Sequence, residues 1–327
     1  MAGVAILSFS AIMVKESNFE PATSTLLRGS IALIVLLPFC ILEIRRKGRL
    51  NARGALIALG AGVFLGIDFI AWSYSAYLVG AGVSSVLLNL QIIILPVLAM
   101  IFDKYPVQRR FWMLVPIMLV GIVLTGGVFE AAAPDEVSHA YGIPIAVLGT
   151  VLGSTSGVCY GLYLYASRKS GRLNPGRYIQ PLVLVCGAQA GVAAIFMVFS
   201  QRGLDLTHGV LNADGTLPPQ PIVDFGAPIG GYEWAIMVVL AITAQALVWT
   251  LIQYGSVHLD PTITAGLLLL SPIFTVFTAA ALLDEIPSLL QVIGVIIVLG
   301  AVAVQNNLHR PLQPRIRDAK PERSDVS

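Results

Sequence analysis

Charge is scarce in this sequence. Asp, Glu, Lys and Arg make up 12% of its 327 residues, while apolar side chains make up 56% and mean hydropathy is +0.82. A water-soluble domain carries charge on about a quarter of its residues, because its surface must stay wet. Half that fraction cannot cover a water-facing surface, so the solvent is lipid. Cysteine is also sparse. Cys40, Cys159 and Cys186 all fall inside apolar runs, which reads as small buried side chains rather than a disulfide framework. The four histidines, His139, His208, His258 and His309, read as loop or tail residues, and neither H-x-x-x-H, H-E-x-x-H nor a Gly-x-Ser-x-Gly elbow occurs. No metal or cofactor is expected, and an enzyme is the weakest functional reading. No basic block interleaved with aromatics points to nucleic acid, and no charged n-region leads into a signal-peptide cleavage site.

Long apolar runs are what the sequence does have. A helix needs about 20 apolar residues to cross about 30 Å of hydrocarbon. On that scale the first half offers spans at Ala2–Val14, Thr23–Leu42, Gly54–Val79, Ala81–Phe102 and Phe111–Phe129. The second half offers Gly142–Ala166, Tyr178–Phe199, Tyr232–Tyr254, Thr262–Leu283 and Pro287–Gln305. Turn-forming stretches such as Asn18–Pro21, Asp103–Pro106, Asp260-Pro261 and Asp284–Pro287 separate them. The fold class is therefore an all-α polytopic membrane protein with ten transmembrane helices.

Basic residues partition by side. Arg45, Arg46, Lys47, Arg49 and Arg53 follow the second span; Lys104, Arg109 and Arg110 follow the fourth; Arg168, Lys169, Arg172 and Arg177 follow the sixth. The tail adds Arg310, Arg315, Arg317, Lys320 and Arg323. All but Lys15, Arg28 and Arg202 of the 20 basic residues thus share one side, which the positive-inside rule makes cytoplasmic, with both termini inside. The expected location is a bacterial inner membrane, surrounded by lipid, as monomer or homodimer. The first span is short, with 13 apolar residues before Lys15-Glu16; either it is a thin or half-inserted helix, or the native product starts upstream. Residues 201–231 read as a long outward loop, a solvated cap or a gate, and residues 306–327 as a disordered cytoplasmic tail.

Sliding the chain on itself by about 180 residues lays the third to fifth spans on the eighth to tenth. Tyr74 then meets Tyr254, Leu87-Leu88 meet Leu267-Leu268, and Leu90 meets Leu270. Five helices per half, at 1–129 and 142–305, is an odd number, so the halves insert with opposite orientation. Inverted-topology repeats of this kind are typical of secondary carriers. The stretches "SFSAIMVK", "LLRGS", "AYLVGAGVSSVLLNLQIIILPVLAMIFD" and "YGSVHLDPTITAGLLLLSPIFTVFTAAALLDEIPSLLQVIGVIIVLGAVAV" resemble the drug/metabolite transporter superfamily, in its ten-helix branch of two EamA-type repeats. Departures are Ile92 where the first repeat usually has proline, and Lys104 or Tyr105 where an acidic residue is common.

Asp68 is the one acidic residue deep in a span. A carboxylate at that depth costs about 2.5–3.5 kcal/mol on insertion scales, so it faces a polar or wet interior. It reads either as a proton-coupling or ammonium-binding group, or as a structural carboxyl bonded to a neighbouring helix. Trp72 and Ser75 follow at i+4 and i+7 on the same face, and Gln245, Trp249 and Gln253 repeat the spacing in the eighth span. Both sets read as cavity lining or as packing. Asp68, Trp72 and Asn89 match a trio that the resemblance associates with the site. Ser85 and Asn89 share a face, as do Ser271, Thr275 and Thr278, and Ser156, Tyr160 and Tyr163 form another candidate pore face. Gly149, Gly153, Gly157 and Gly161 recur every fourth residue and read as a packing stripe. Lys15 and Arg28 match a Lys and an Arg often seen in the family; they snorkel to the interface or draw anionic and zwitterionic solutes. The reading implied is a secondary transporter that moves a small metabolite, amino acid-like or another small organic solute, outward by alternating access, with Asp68 the candidate for proton coupling. A channel, lipid scramblase or accessory subunit is the alternative.

Overall fold

The structure is a computed structural model that describes residues 13, 17, 19–79, 81–125, 139–140, 143–200, 210–211, 229–268, 270–271 and 288–306. The first span, apart from Met13, the far part of the ninth, most of the 201–231 loop and the tail beyond 306 lie outside the described residues. So do Lys15, Thr275 and Thr278, and the side chain of Ser85.

Helices stand where apolar runs predict spans. They are α1 (Pro21–Lys47), α2 (Ala52–Val79), α3 (Ala81–Leu88), α4 (Gln91–Asp103), α5 (Arg109–Thr125), α6 (Ile145–Leu173), α7 (Ile179–Ser200), α8 (Gly231–Leu240), α9 (Val248–His258), α10 (Pro261–Leu268) and α11 (Leu289–Asn306). Among the described residues, six helical stretches are long and apolar enough to cross a membrane. The surface is apolar and the interior polar: Leu56 is 70% exposed, whereas Asp68 is 2% and Gln245 0%. That inversion suits a bundle whose outer shell is lipid.

Four expectations need correction. The run Ala81–Phe102 is not one α-helix: α3 and α4 meet at Asn89-Leu90, where Asn89 N–H bonds Val86 O and Leu90 N–H bonds Leu87 O. These are i→i+3 bonds, a tight 3₁₀ turn. The eighth span is not uniformly α either, because Ala241–Leu247 is π-helical and Val248 N–H reaches back to Thr243 O. The 201–231 loop is not wholly irregular, since its β3 (Val210–Leu211) and β2 (Ile143–Pro144) both pair antiparallel with β1 (His139–Ala140), two-residue pairings that leave the fold class all-α. His258 closes α9 rather than lying in a loop.

Local chemistry sets the ends of α1. Pro21 supplies a first-turn residue whose missing N–H is no loss. Arg45, Arg46 and Lys47 crowd the last turn, where the carbonyl end of the helix dipole favours cations. Gly48 then turns the chain at φ 76°, a left-handed conformation that a side chain resists. The turn it opens is latched to the turn between α6 and α7. Asn51 N–H donates to Asn174 Oδ1 at 2.8 Å, Gln180 Nε2 to Gly48 O at 3.0 Å, and Ser170 Oγ to Gly54 O at 2.8 Å. Glu43 accepts from the backbone N–H groups of Tyr178, Ile179 and Gln180 at 3.0, 3.2 and 3.0 Å, satisfying donors that a helix start leaves orphaned.

α2 packs along α6 and α7, α1 along α7 and the π-helical turns, α4 against α6 and α10, and α5 against α11. In lipid the hydrophobic effect adds little between helices, and close van der Waals approach takes over. The glycine stripe of α6 makes that approach. A Cβ on Gly149 would lie 2.4 Å from Val79 Cγ1, on Gly153 2.6 Å from Leu87 Cδ1, on Gly157 2.3 Å from Leu87 O, and on Gly161 2.5 Å from Ile94 Cβ. The stripe thus seats the end of α2 at Gly149 and α3 and α4 at the other three glycines, and the packing reading of these glycines holds.

Candidate functional site

The polar groups of the interior gather where α1, α2, α6, α7 and the π-helical turns meet. Asp68, midway along α2, accepts a hydrogen bond from Ser156 Oγ of α6 at 2.5 Å. Arg28, two turns into α1, is 7% exposed and does not snorkel to the interface, which corrects that reading. Its guanidinium carbon lies 4.4 Å from the centroid of the Phe69 ring, within cation–π range. Arg28 and Asp68 sense each other's charge. No ion pair within 4.0 Å joins them, and Arg28 Nε has no hydrogen-bond partner among the described residues.

Aromatic rings floor this region. Trp249 is 1% exposed and meets Tyr163 edge-on at 5.1 Å and Tyr160 edge-on at 5.9 Å. The two tyrosines lie nearly parallel, 9° apart, and Phe69 joins the cluster at 6.2 Å from Trp249. The set therefore runs from the Arg28 cation through Phe69 to Trp249 and on to Tyr160 and Tyr163. Above it, Gln245 Nε2 donates to Gln189 Oε1 at 2.8 Å, and Gln189 Nε2 donates to Thr25 O at 3.3 Å. Towards the basic end of α6, Gln253 Nε2 donates to Ser167 O at 3.0 Å, and Gln253 Oε1 accepts from the Ser167 hydroxyl.

The sequence candidates sort clearly. Asp68, Arg28, Trp249 and Tyr160 share one connected region, with Gln245 tied to it through Gln189 and α1. Trp72 is half-buried on α2 and its indole Nε1 is buried without a partner, as is Trp249 Nε1. Asn89 is buried at the break between α3 and α4. Ser75 turns away from any site, donating to Gly149 O at 2.8 Å. Two participants escaped the sequence reading. Gln189 and Gln91 are single amides inside apolar spans, 0% and 1% exposed, and Gln91 Oε1 is unpartnered. A lone amide at mid-span was the available signal, since such a group needs a partner in lipid.

Buried polar atoms are rarely left unbonded. Here Arg28 Nε, the Trp72 and Trp249 indole N–H groups and the amide oxygens of Gln91 and Gln245 are all buried without a partner among the described residues, in a bundle whose buried Asp68 carboxylate and Arg28 guanidinium do not touch. That pattern suits a small solute carrying both charges and some aromatic or apolar surface.

Comparison with known proteins agrees with this architecture. The EamA-like transporter family matches residues 1–127. A solved crystal structure, titled only as that of a protein, superposes with a TM-score of 0.68 at 16% identity, covering 95% of this chain and 96% of the other; at that identity it speaks to fold alone. No curated protein matches the sequence.

Proposed function

We propose, from the match of residues 1–127 to the EamA-like transporter family, that the protein is a secondary transporter of the drug/metabolite transporter superfamily for a small zwitterionic metabolite of amino-acid type, exporting it by alternating access. One observation carries the reading. Arg28 and Asp68, of opposite charge, are buried in a lipid-facing bundle, near enough to interact electrostatically yet unpaired. A solute carboxylate on the guanidinium and an ammonium on the carboxylate would satisfy both, and the Phe69, Trp249 and Tyr160 rings would flank its body. A bound zwitterion removes the penalty of two separately buried charges.

Two inverted five-helix halves, 1–129 and 142–305, fit the pattern of neighbours. Under that symmetry the second span answers to the seventh, the fourth to the ninth and the fifth to the tenth, and α1–α7, α4–α10 and α5–α11 all pack together. The α2–α7 contact has its counterpart in the π-helical turns against α1. A cytoplasmic basic face, with the 201–231 loop outside in a bacterial inner membrane, draws support from the small sheet. It joins 139–144, before α6, to 210–211, after α7, so both connections lie at one end of the bundle.

Asp68 couples transport to protons in this scheme. The test is amino-acid counterflow and pH-driven uptake in proteoliposomes, with Asp68→Asn normalised to monodisperse protein. Trans-stimulated exchange in the wild type, with gradient-driven uptake abolished and exchange retained in the Asn variant, supports the proposal. Wild-type gradient dependence in the variant returns Asp68 to a structural role, and absence of trans-stimulation removes the carrier reading altogether.

A further inference from the structure

Some distance along α6 from Ser156, the hydrogen-bond partner of Asp68, a second charge stands unpaired near the helix's basic end. Arg168 is 1% exposed, and all three of its guanidinium nitrogens, Nε, Nη1 and Nη2, lack a hydrogen-bond partner among the described residues. A guanidinium is permanently charged and carries five N–H donors in a rigid fork. Burying it bare is among the costliest arrangements a fold can hold, because the lost hydration is not replaced. Ordinary structural arginines at such depth are bonded to a carboxylate or to carbonyls.

The carboxylates nearby serve other donors. Asp103 Oδ1 accepts from Tyr165 Oη at 3.1 Å and from Lys169 Nζ at 3.3 Å. Asp260, just ahead of α10, lies against the phenol of Tyr105. Burial, reinforced by Asp260, pushes that phenol up to about 12, so Tyr105 is neutral and adds no charge. Arg172, one turn beyond Arg168, contributes another cation to the neighbourhood. Among the described residues, Arg168, Lys169 and Arg172 thus face Asp103 and Asp260, one positive charge in excess. One turn along α10 from Asp260, the buried Thr264 hydroxyl is also without a partner.

We propose that Arg168 is the anchor of an oxyanion site at the basic end of the bundle, taking one carboxylate or phosphate group in a two-oxygen contact. A monoanion matches the single surplus charge, and a planar fork binds two oxygens at once where a lysine would offer a point charge. The anion belongs either to a solute entering from the basic side or to the headgroup of an anionic lipid in that leaflet; both present the same oxygens. The site is distinct from the Arg28–Asp68 region, and its existence does not depend on transport.

Thermal unfolding of the purified full-length chain tests it. Lipid-stripped protein is titrated with sodium phosphate or sodium acetate at constant ionic strength, and separately with micelles containing phosphatidylglycerol or phosphatidylcholine. Binding to the native state raises the midpoint saturably, by about 5 °C at a hundredfold excess over Kd. A rise with phosphate or acetate identifies a soluble anion; a rise with phosphatidylglycerol alone identifies lipid. In either case Arg168→Met abolishes the shift and unfolds at a higher temperature than the ligand-free wild type, because an unpaired buried charge is gone. Arg168→Lys, which keeps the charge and removes the fork, retains folding and binds at least tenfold more weakly. A shift that persists in Arg168→Met, or no anion-dependent shift in the wild type, overturns the proposal.

Discussion

Gly157→Ala is the sharpest test of how this bundle is held together. The added methyl would sit 2.3 Å from Leu87 O, 3.0 Å from Leu90 Cβ and 3.2 Å from Leu88 O. Ordinary contact begins near 3.4 Å, so α6 must withdraw from the α3–α4 turn by about 1 Å. Its obstacle is backbone, pinned by the i→i+3 bonds of that turn, and it cannot rotate aside as a side chain would. Overpacking of this kind costs about 1–3 kcal/mol, and the upper part of that range applies. Alanine's better helix propensity returns about 0.8–1.0 kcal/mol, which leaves a net loss of about 1–2 kcal/mol. At about 2–4 °C per kcal/mol, the melting midpoint falls by about 2–8 °C, read by thermal denaturation followed by size-exclusion chromatography. Gly191 on α7 is the control: it is exposed, nothing lies within 4 Å of its added Cβ, and Gly191→Ala is expected to be neutral or slightly stabilising. If Gly157→Ala melts with or above the wild type while monodisperse, the stripe is not a close-packing seam.

Glu43→Ala strips three backbone donors at the start of α7 of their acceptor and is expected to cost about 1–3 kcal/mol, whereas Glu43→Gln keeps one acceptor oxygen and loses roughly half as much; equal midpoints for all three proteins would mean water replaces the carboxylate. Single cysteines at positions 212 and 324, in a background without native cysteine, report the orientation: an impermeant reagent applied to sealed cells labels only position 212. Labelling of position 324 reverses the assigned sides. Trp249→Ala opens a cavity beside Tyr160 and Tyr163 and is expected to weaken solute binding about tenfold or more while solute-free protein remains folded; unchanged affinity in a binding titration removes the indole from the site.

Most of the architecture could be read before any coordinates, for a simple reason: in lipid, hydropathy and helix length are nearly the same signal. The expected ends of α2, α7 and α11 fall within about two residues of the observed ones, and the glycine period of α6 announced its packing. What stayed hidden depends on register. The 3₁₀ turn at Asn89-Leu90 and the π-helical turns at Ala241–Leu247 change which carbonyl each N–H selects, and no residue type in "LLNLQ" or "AITAQAL" dictates that choice. The i, i+4, i+8 spacing of Gln245, Trp249 and Gln253 still identified three buried residues, because only the first lies in the wider turns. Asp68 was legible as a polar group in need of a partner. Its partner Ser156, 88 positions away, was legible only as a candidate pore residue, since long-range pairing is set by packing. Arg28 was placed at the rim because its distance from the end of a run was visible, but the tilt and depth of α1 were not. Gln189 and Arg168 were passed over for related reasons: one amide barely lowers hydropathy, and an arginine near a basic cluster is counted as part of it.

Residues 241–247 also bear on how the chain can change in length. A π turn holds one residue more than an α-helix of the same rise requires. Removing one residue there other than Gln245 leaves an ordinary α-helix, with α8 and α9 keeping their mutual phase and Trp249 still turned towards Tyr163. The same deletion in α2, which is α throughout, would swing everything beyond it by about 100° and carry Trp72 off the face it shares with Asp68. Deletions of a single codon are therefore survivable at one stretch of the interior and ruinous at the other, a difference in tolerance that hydropathy alone would never rank.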